Sequence, residues 1–251
     1  MTYPPLFEPE DYQEHLPSRM SQEYGEVMEI TAELESAVIC DPVGGIHLDG
    51  PLSYAAFCEI PRADRESLPP LSAPWALDFL IPLRAANASG VTMPNVDDRL
   101  LWHGNVWFWM CTDNLTPWEG MHAAPVRGPT CHREMIRHSN DRRVNISAGA
   151  YKPVNHSYPA RWPEGGVLRW LAIGDVDEVR RLLTTHVHAL GRRHNTGHGL
   201  VRSWTVTTTS GETDDILPHR RTPSVSLPAR MGSIRAPYHH RSRLTYAEGP
   251  G

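Results

Sequence analysis

Apolar and polar positions alternate along several stretches of the chain, and in two others they recur with a helical period. From Val27 to Cys40, Val27, Ile30, Ala32, Leu34 and Val38 are interleaved with Glu29, Glu33 and Glu35, which predicts a strand with one buried face. In DPVGGIHLDGPLSYAAF, residues 41–57, Gly44-Gly45 marks a turn. Asp49 is placed to cap a helix that has Pro51 in its first turn and buries Leu52, Ala55, Ala56 and Phe57. The apolar, aromatic run LWHGNVWFWMC (101–111) predicts a core strand, and GVLRWLAI (166–173) another. Leu182, Leu183, Val187 and Leu190 then share one face of a helix over 176–190, with Asp175 as N-cap and Glu178 as capping-box partner. The strand 200–207 follows, with Trp204 and Val206 on one face.

The remaining segments lack such periodicity. Residues 1–25 read as an acidic, proline-bearing extension, and 68–82 as a Pro-rich loop holding Trp75 and Phe79. Residues 112–128 read as irregular, and 132–152 as a strand or ribbon pair with basic residues near its ends. From 210 to 251, prolines, arginines and histidines predict a partly ordered tail with short extended pieces. The elements over 26–209 therefore predict one α+β domain of β-α-β-β-α-β, ferredoxin-like (RRM-like) order, elaborated by long insertions.

Charge changes the picture. The net charge of −5 hides a polarity, because residues 1–120 carry 19 acidic and 5 basic side chains whereas 121–251 carry 10 and 19. A half with that excess suits phosphate. Lys152 is the single lysine, so the cations are otherwise guanidinium groups, which grip phosphate bidentately and stack on bases. Cys40, Cys58, Cys111 and Cys131 are widely spaced with no CxxC pair, which argues against a zinc ribbon or a disulfide scaffold. With no long apolar span, the expected setting is the cytoplasm, with no membrane contact.

The charge excess directs attention to the loop between the second helix and the last strand. Gly191, Gly197 and Gly199 allow positive φ and close approach of backbone to a ligand, and Arg192, Arg193, His194 and Asn195 sit among them with donors for phosphate oxygens. Glycines after a helix also serve as C-cap and turn, and Arg-rich loops also serve as solvated surface. The position before the last strand and the basic half around it favour RNA contact.

Two motifs taken together, GGIHLDGPLSYAAF (44–57) and LGRRHNTGHGLVRSWTV (190–206), resemble the Cas-five-like RAMP subunit of type IV CRISPR–Cas effector complexes. The ribbon residues GAYK (149–152) fit the same resemblance, which covers about residues 27–207 and leaves both tails outside. It implies a RAMP fold with a glycine-rich loop before the last strand, and a non-catalytic role without a cofactor. Such a subunit holds the 5′ handle of the guide RNA, caps the backbone filament and contacts the backbone RAMP and large subunits, meeting target DNA through the assembled complex. Carried onto this chain, the RNA contacts fall on Arg142, Arg143, Tyr151, Lys152, Arg192, Arg193, His194, Asn195, Gly197, His198 and Gly199. Phosphate donors, close backbone approach and planar stacking groups are what single-stranded RNA requires.

Fourteen histidines raise other chemistries. His186 and His188 are two apart and point to different sides of a helix. His103, His132, His138, His194 and His198 lack a Cys or carboxylate at ligand spacing, so no metal site is expected. Related RAMP proteins cut guide precursors with a histidine as general acid or base, and His186, His188, His194 or His198 are the residues for a metal-independent endoribonuclease, the alternative reading. Asp49 has no second carboxylate at a suggestive spacing and is read as a cap. Trp102, Trp107, Phe108 and Trp109 are read as core before base stacking. A third reading is an interaction module whose basic half binds an acidic protein patch.

Overall fold

In a computed structural model of the chain, the described residues are 18–21, 23–40, 45–61, 81–88, 101–102, 105–127, 155–211, 215–219, 222–223, 230–233 and 244–248. Strand β1 (Glu26–Leu34) is central. It pairs antiparallel with β8 (Val167–Gly174) on one side and with β9 (Val201–Thr208) on the other. Met28, Ile30, Ala32 and Leu34 of β1 are buried, and the residues between them are half-buried, as the alternation predicts.

Two helices cover the buried face. Helix α1 (Asp49–Glu59) buries Leu52, Ala55 and Ala56, and α2 (Val176–His186) buries Val179, Leu182 and Leu183. Their apolar faces join the same cluster as the inward residues of β1 and β8, including Trp170. Trp170 Nε1 donates to Ile46 O at 2.7 Å, and its ring stacks on Trp204 at 5.9 Å. Trp204 Nε1 in turn donates to Val187 O at 2.8 Å. These aromatic bonds pin the residues before α1 and after α2 to the sheet.

The opposite face carries ion pairs. Arg169 meets Glu29 at 3.1 Å, and Arg202 meets Glu33 at 2.7 Å. Beyond β8 the chain runs alongside again: Ile173 N donates to Met110 O, Thr112 N to Leu171 O and Leu115 N to Arg169 O, each at 2.8–2.9 Å. This line continues from β5 (Asn105–Trp109), which pairs with β3 (Ala85–Asn87) and β4 (Leu101–Trp102).

Several sequence expectations are corrected. The strand foreseen over 27–40 ends at Leu34, and β2 (Val38–Ile39) joins a different sheet with the order β2-β7-β6. The turn between them is held by Glu35 N to Leu200 O, Leu200 N to Ser36 Oγ and Gly199 N to Ala37 O, so pairing with the 199–200 backbone redirects the chain. The run 101–111 is a pair of strands rather than one. The stretch 112–128 contains the ten-residue strand β6 (Trp118–Arg127), which pairs along β7 (Asn155–Pro163). Pro125 and Gly120 mask its period, and both are tolerated because β6 is an edge strand.

The cap assignments divide. Asp175 caps α2, its side chain accepting from Glu178 N at 3.0 Å. The reciprocal half of the box is not made, since the Glu178 carboxylate takes Arg181 at 2.8 Å. Asp49 is not the cap of α1. Leu48 holds that position, and Asp49 is the first helical residue and fully buried, because the turn has already begun at His47 and Leu48. Helix α2 stops at His186 rather than 190; Val187 and Leu190 remain buried, but strand-like bonds of 188 and 190 to 201 and 199 displace the helical ones. In the C-terminal segment, β10 (Thr222–Pro223), β12 (Leu244–Glu248) and β11 (Arg230–Ser233) pair as a three-stranded sheet.

Candidate nucleic-acid interface

The glycine-punctuated segment is a closed loop. Leu190 N donates to Gly199 O at 2.8 Å, which pinches its base, and a 3₁₀ turn spans His194–Thr196 at its tip. Within the tip, Thr196 Oγ1 donates to Arg193 O at 2.8 Å and Gly197 N to His194 O at 3.0 Å. Arg192, Arg193, His194, Asn195 and Gly197 are exposed, His198 is half-buried, and Gly199 is buried.

The three glycines do different things. All have positive φ: 78° at Gly191, 85° at Gly197 and 69° at Gly199. A Cβ on Gly199 would run into the Leu190 carbonyl oxygen, and one on Gly191 into Ile39 O and the Val38 side chain. Those two glycines are required by the protein's own packing. Gly197 has nothing within 4 Å of that direction, so its open Cα side is where a strand can approach the backbone.

The arginines also separate by surroundings. On α2, Arg180 pairs with Asp177 at 2.6 Å, and Arg181 with Glu178 at 2.8 Å and Glu59 at 3.1 Å. Both arginines of α2 are thus neutralised within the fold. Glu59 also meets His186. Hydrogen bonds from Arg181 first and then His186 hold the Glu59 carboxyl below its ordinary range, and the two acidic partners raise Arg181. The Arg192 guanidinium makes no hydrogen bond or ion pair among the described residues and remains available to an external anion. Arg193 stands in the left-handed region at φ 62°, its guanidinium 5.0 Å from the Tyr158 ring centroid and bonded to the Tyr158 hydroxyl at 2.7 Å.

Tyr158 is the residue that sequence reasoning missed. It lies on β7, and the loop is stitched to that sheet by Arg192 N donating to Ile39 O at 2.7 Å. Arg142, Arg143, Tyr151 and Lys152 lie outside the described residues. The segment that carries them leaves and rejoins the β6–β7 ribbon at the Arg127↔Asn155 pair, three positions before Tyr158. Tyr158 sits in a strand whose Pro159 and Pro163 blur the period, so its sequence gave little signal.

A cavity of about 450 Å³ adjoins the loop. α1 contributes Gly50, Pro51 and Tyr54, and the chain from His186 to Gly191, with His194, forms the opposite wall. Among the described residues, no group of three or more His, Cys, Asp or Glu converges as a metal site, and no helix is long and apolar enough to cross a membrane.

A sequence model of the family described as CRISPR type IV associated protein Csf3 matches residues 121–249. The chain belongs to the Csf3 family. The match confirms the type IV CRISPR resemblance read from the two motifs. It also includes β6, β7, the loop and the C-terminal strands, so for Csf3 the likeness extends through a segment that the motifs had left outside. No curated protein matches the chain.

Proposed function

We propose that this member of the Csf3 family is a non-catalytic RNA-binding subunit of a multi-subunit type IV CRISPR ribonucleoprotein, holding the 5′ handle of the guide RNA and capping the backbone filament. The observation that carries the reading is the loop itself. Its exposed Arg192, His194 and Asn195 flank Gly197, the loop glycine with an open Cα side, and Arg193 braces the loop on Tyr158 of β7. Phosphate donors and free backbone then line one continuous surface, as a single strand requires. The backbone RAMP and large subunits are the protein partners in this reading, and target DNA is met through the assembly. The cytoplasm is its setting.

The strand order supports a ferredoxin-like RAMP domain. Read as β9-β1-β8 followed by the line at 110–115, with α1 and α2 on one face, it has the neighbours expected of β-α-β-β-α-β. The opposite face of the sheet neutralises Arg169 and Arg202 with Glu29 and Glu33, which leaves the loop side as the favoured route for RNA.

The deciding experiment is binding of the full chain to repeat-derived handle RNA across a salt series. Salt-dependent binding weakened by Arg192→Ala with Arg193→Ala is expected. Absent or salt-independent binding overturns the reading in favour of a module for acidic protein patches. A histidine-dependent endoribonuclease is the second reading, favoured by the convergence of His186, His188 and His194 on one cavity. Clean cutting of repeat RNA in EDTA, abolished by His194→Ala or His186→Ala, would establish it instead.

A further inference from the structure

The cavity beside the loop has features that phosphate binding does not use. It is walled by Pro51, Val187 and Leu190 with the Tyr54 ring at its mouth, and Tyr54 is 54% exposed. Its size falls among sites for small organic ligands, roughly 300–1,000 Å³. Gly191 and His194 belong both to this wall and to the loop, so a strand lying on the loop passes the opening.

One wall residue offers a paired donor and acceptor. Ala189 and Leu200 form an antiparallel bridge whose two hydrogen bonds are Leu190 N to Gly199 O and Val201 N to His188 O. In such a pair the bonds belong to the flanking residues, so the N–H and C=O of Ala189 itself point away from Leu200. No hydrogen bond among the described residues engages either group. An adjacent donor and acceptor on extended backbone match the edge of a nucleobase, and the apolar walls suit its faces. The exposed His188 adds a second planar ring without a side-chain bond among the described residues.

We infer that this cavity seats one unpaired purine base of the RNA strand held by the adjoining loop, an inference that rests on the guide-RNA reading above. The base enters past Tyr54, lies against Val187 and Leu190, and presents its polar edge to Ala189. A purine is favoured because it covers more of the apolar wall, and stacking strength is what gives sequence-tolerant sites their modest preferences. Phosphates flanking the base remain on the loop.

The test uses the full chain with ten-nucleotide single strands of adenosine or uridine, followed by fluorescence anisotropy at one low salt concentration. The adenosine strand is expected to bind about tenfold more tightly. Ala189→Phe, which fills the cavity, is expected to abolish that preference, and Tyr54→Ala, at an exposed position, to reduce it several-fold, both with uridine affinity unchanged. Should Ala189→Phe fail to fold, Tyr54→Ala alone decides. Equal binding of the two strands by the unsubstituted protein, or a preference that survives Tyr54→Ala, overturns the base pocket and leaves the loop reading intact. Binding of neither strand overturns both.

Discussion

Arg193 holds a left-handed backbone conformation, φ 62°, while its guanidinium lies 5.0 Å from the centre of the Tyr158 ring and donates to the Tyr158 hydroxyl. A non-glycine residue there is disfavoured by about 1–2 kcal/mol. The conformation persists because the surrounding bonds over-determine it: Arg192 N is fixed to Ile39 O and Thr196 Oγ1 to Arg193 O. The strained residue and the ribbon that braces it thus come from positions 35 apart, and together they fix the direction of the loop tip.

From this pairing a contrast follows. Arg193→Gly relieves the backbone but loses the Tyr158 contact, and the two effects offset to within about 1 kcal/mol in urea unfolding. Tyr158→Phe keeps the ring and loses one exposed hydrogen bond, a cost of about 1 kcal/mol at most. In RNA binding, on the proposed reading, the two separate. Arg193→Gly is expected to weaken affinity clearly, because it removes a cation and frees the tip, whereas Tyr158→Phe is expected to have little effect. Equal losses of affinity for both variants would show that the brace, not the charge, is what RNA senses.

The glycines separate packing from ligand approach. Gly199→Ala forces a Cβ onto the Leu190 carbonyl at φ 69° and should destabilise by more than about 3 kcal/mol. Gly197→Ala meets open space and carries only the cost of left-handed backbone, about 1–2 kcal/mol. Thermal unfolding of the two variants checks the difference. On the proposed RNA-binding reading, Gly197→Ala should also lower RNA affinity at unchanged fold, since its new methyl would stand where the strand is proposed to approach.

The main strands and both helices were legible because their inward residues follow a clean period: Met28, Ile30, Ala32 and Leu34 on β1, and Val179, Leu182 and Leu183 on α2. The loop was legible as a cluster of glycines and cations. Its glycines were not separable by sequence, because the clash at Gly199 is with a residue across a turn and that at Gly191 is with β2. β6 was illegible because an edge strand carrying Gly120 and Pro125, with Met121, His122 and Ala123 exposed, has no buried stripe to announce it. Asp49 has the composition of a cap, yet the chain turns one residue earlier and carries it into the interior. The cavity depends on Tyr54 and Ala189 meeting across 135 residues of sequence, which no local pattern encodes.

Acid should loosen the junction of the two helices. The Glu59 carboxyl is held below its ordinary value of 4.5 by Arg181 first and His186 second. A carboxyl whose folded pKa is depressed binds fewer protons in the folded than in the unfolded chain. Its stabilisation is therefore complete above the ordinary value and declines as pH falls through the lower, folded one. Glu59→Gln removes this contribution, so the variant should be less stable than the parent at neutral pH, and the gap should narrow below the ordinary value of 4.5 and close once the carboxyl is protonated in the folded chain. Urea midpoints at a series of pH values measure it; a gap that stays constant across that range would mean that the carboxylate contributes through packing rather than charge.

Trp170 sets the sharpest test of the core. It is fully buried, donates to Ile46 O and stacks on Trp204, which itself donates to Val187 O. Trp170→Phe leaves the Ile46 carbonyl without that indole donor and opens a void against Trp204. Ile46 O keeps its bond from Asn114 N at 3.1 Å, so the lost indole bond costs about 1 kcal/mol, and the lost ring volume adds a cavity cost that grows with the void left. Trp204→Phe removes the same kind of bond at a half-buried site where water reaches, and should cost less. Because Ile46 precedes α1 and Val187 follows α2, the two variants loosen opposite walls of the cavity. The double variant should therefore cost less than the sum, since the contact between the two rings is already weakened in each single variant. Strict additivity in urea unfolding would mean that the two indoles stabilise the protein independently.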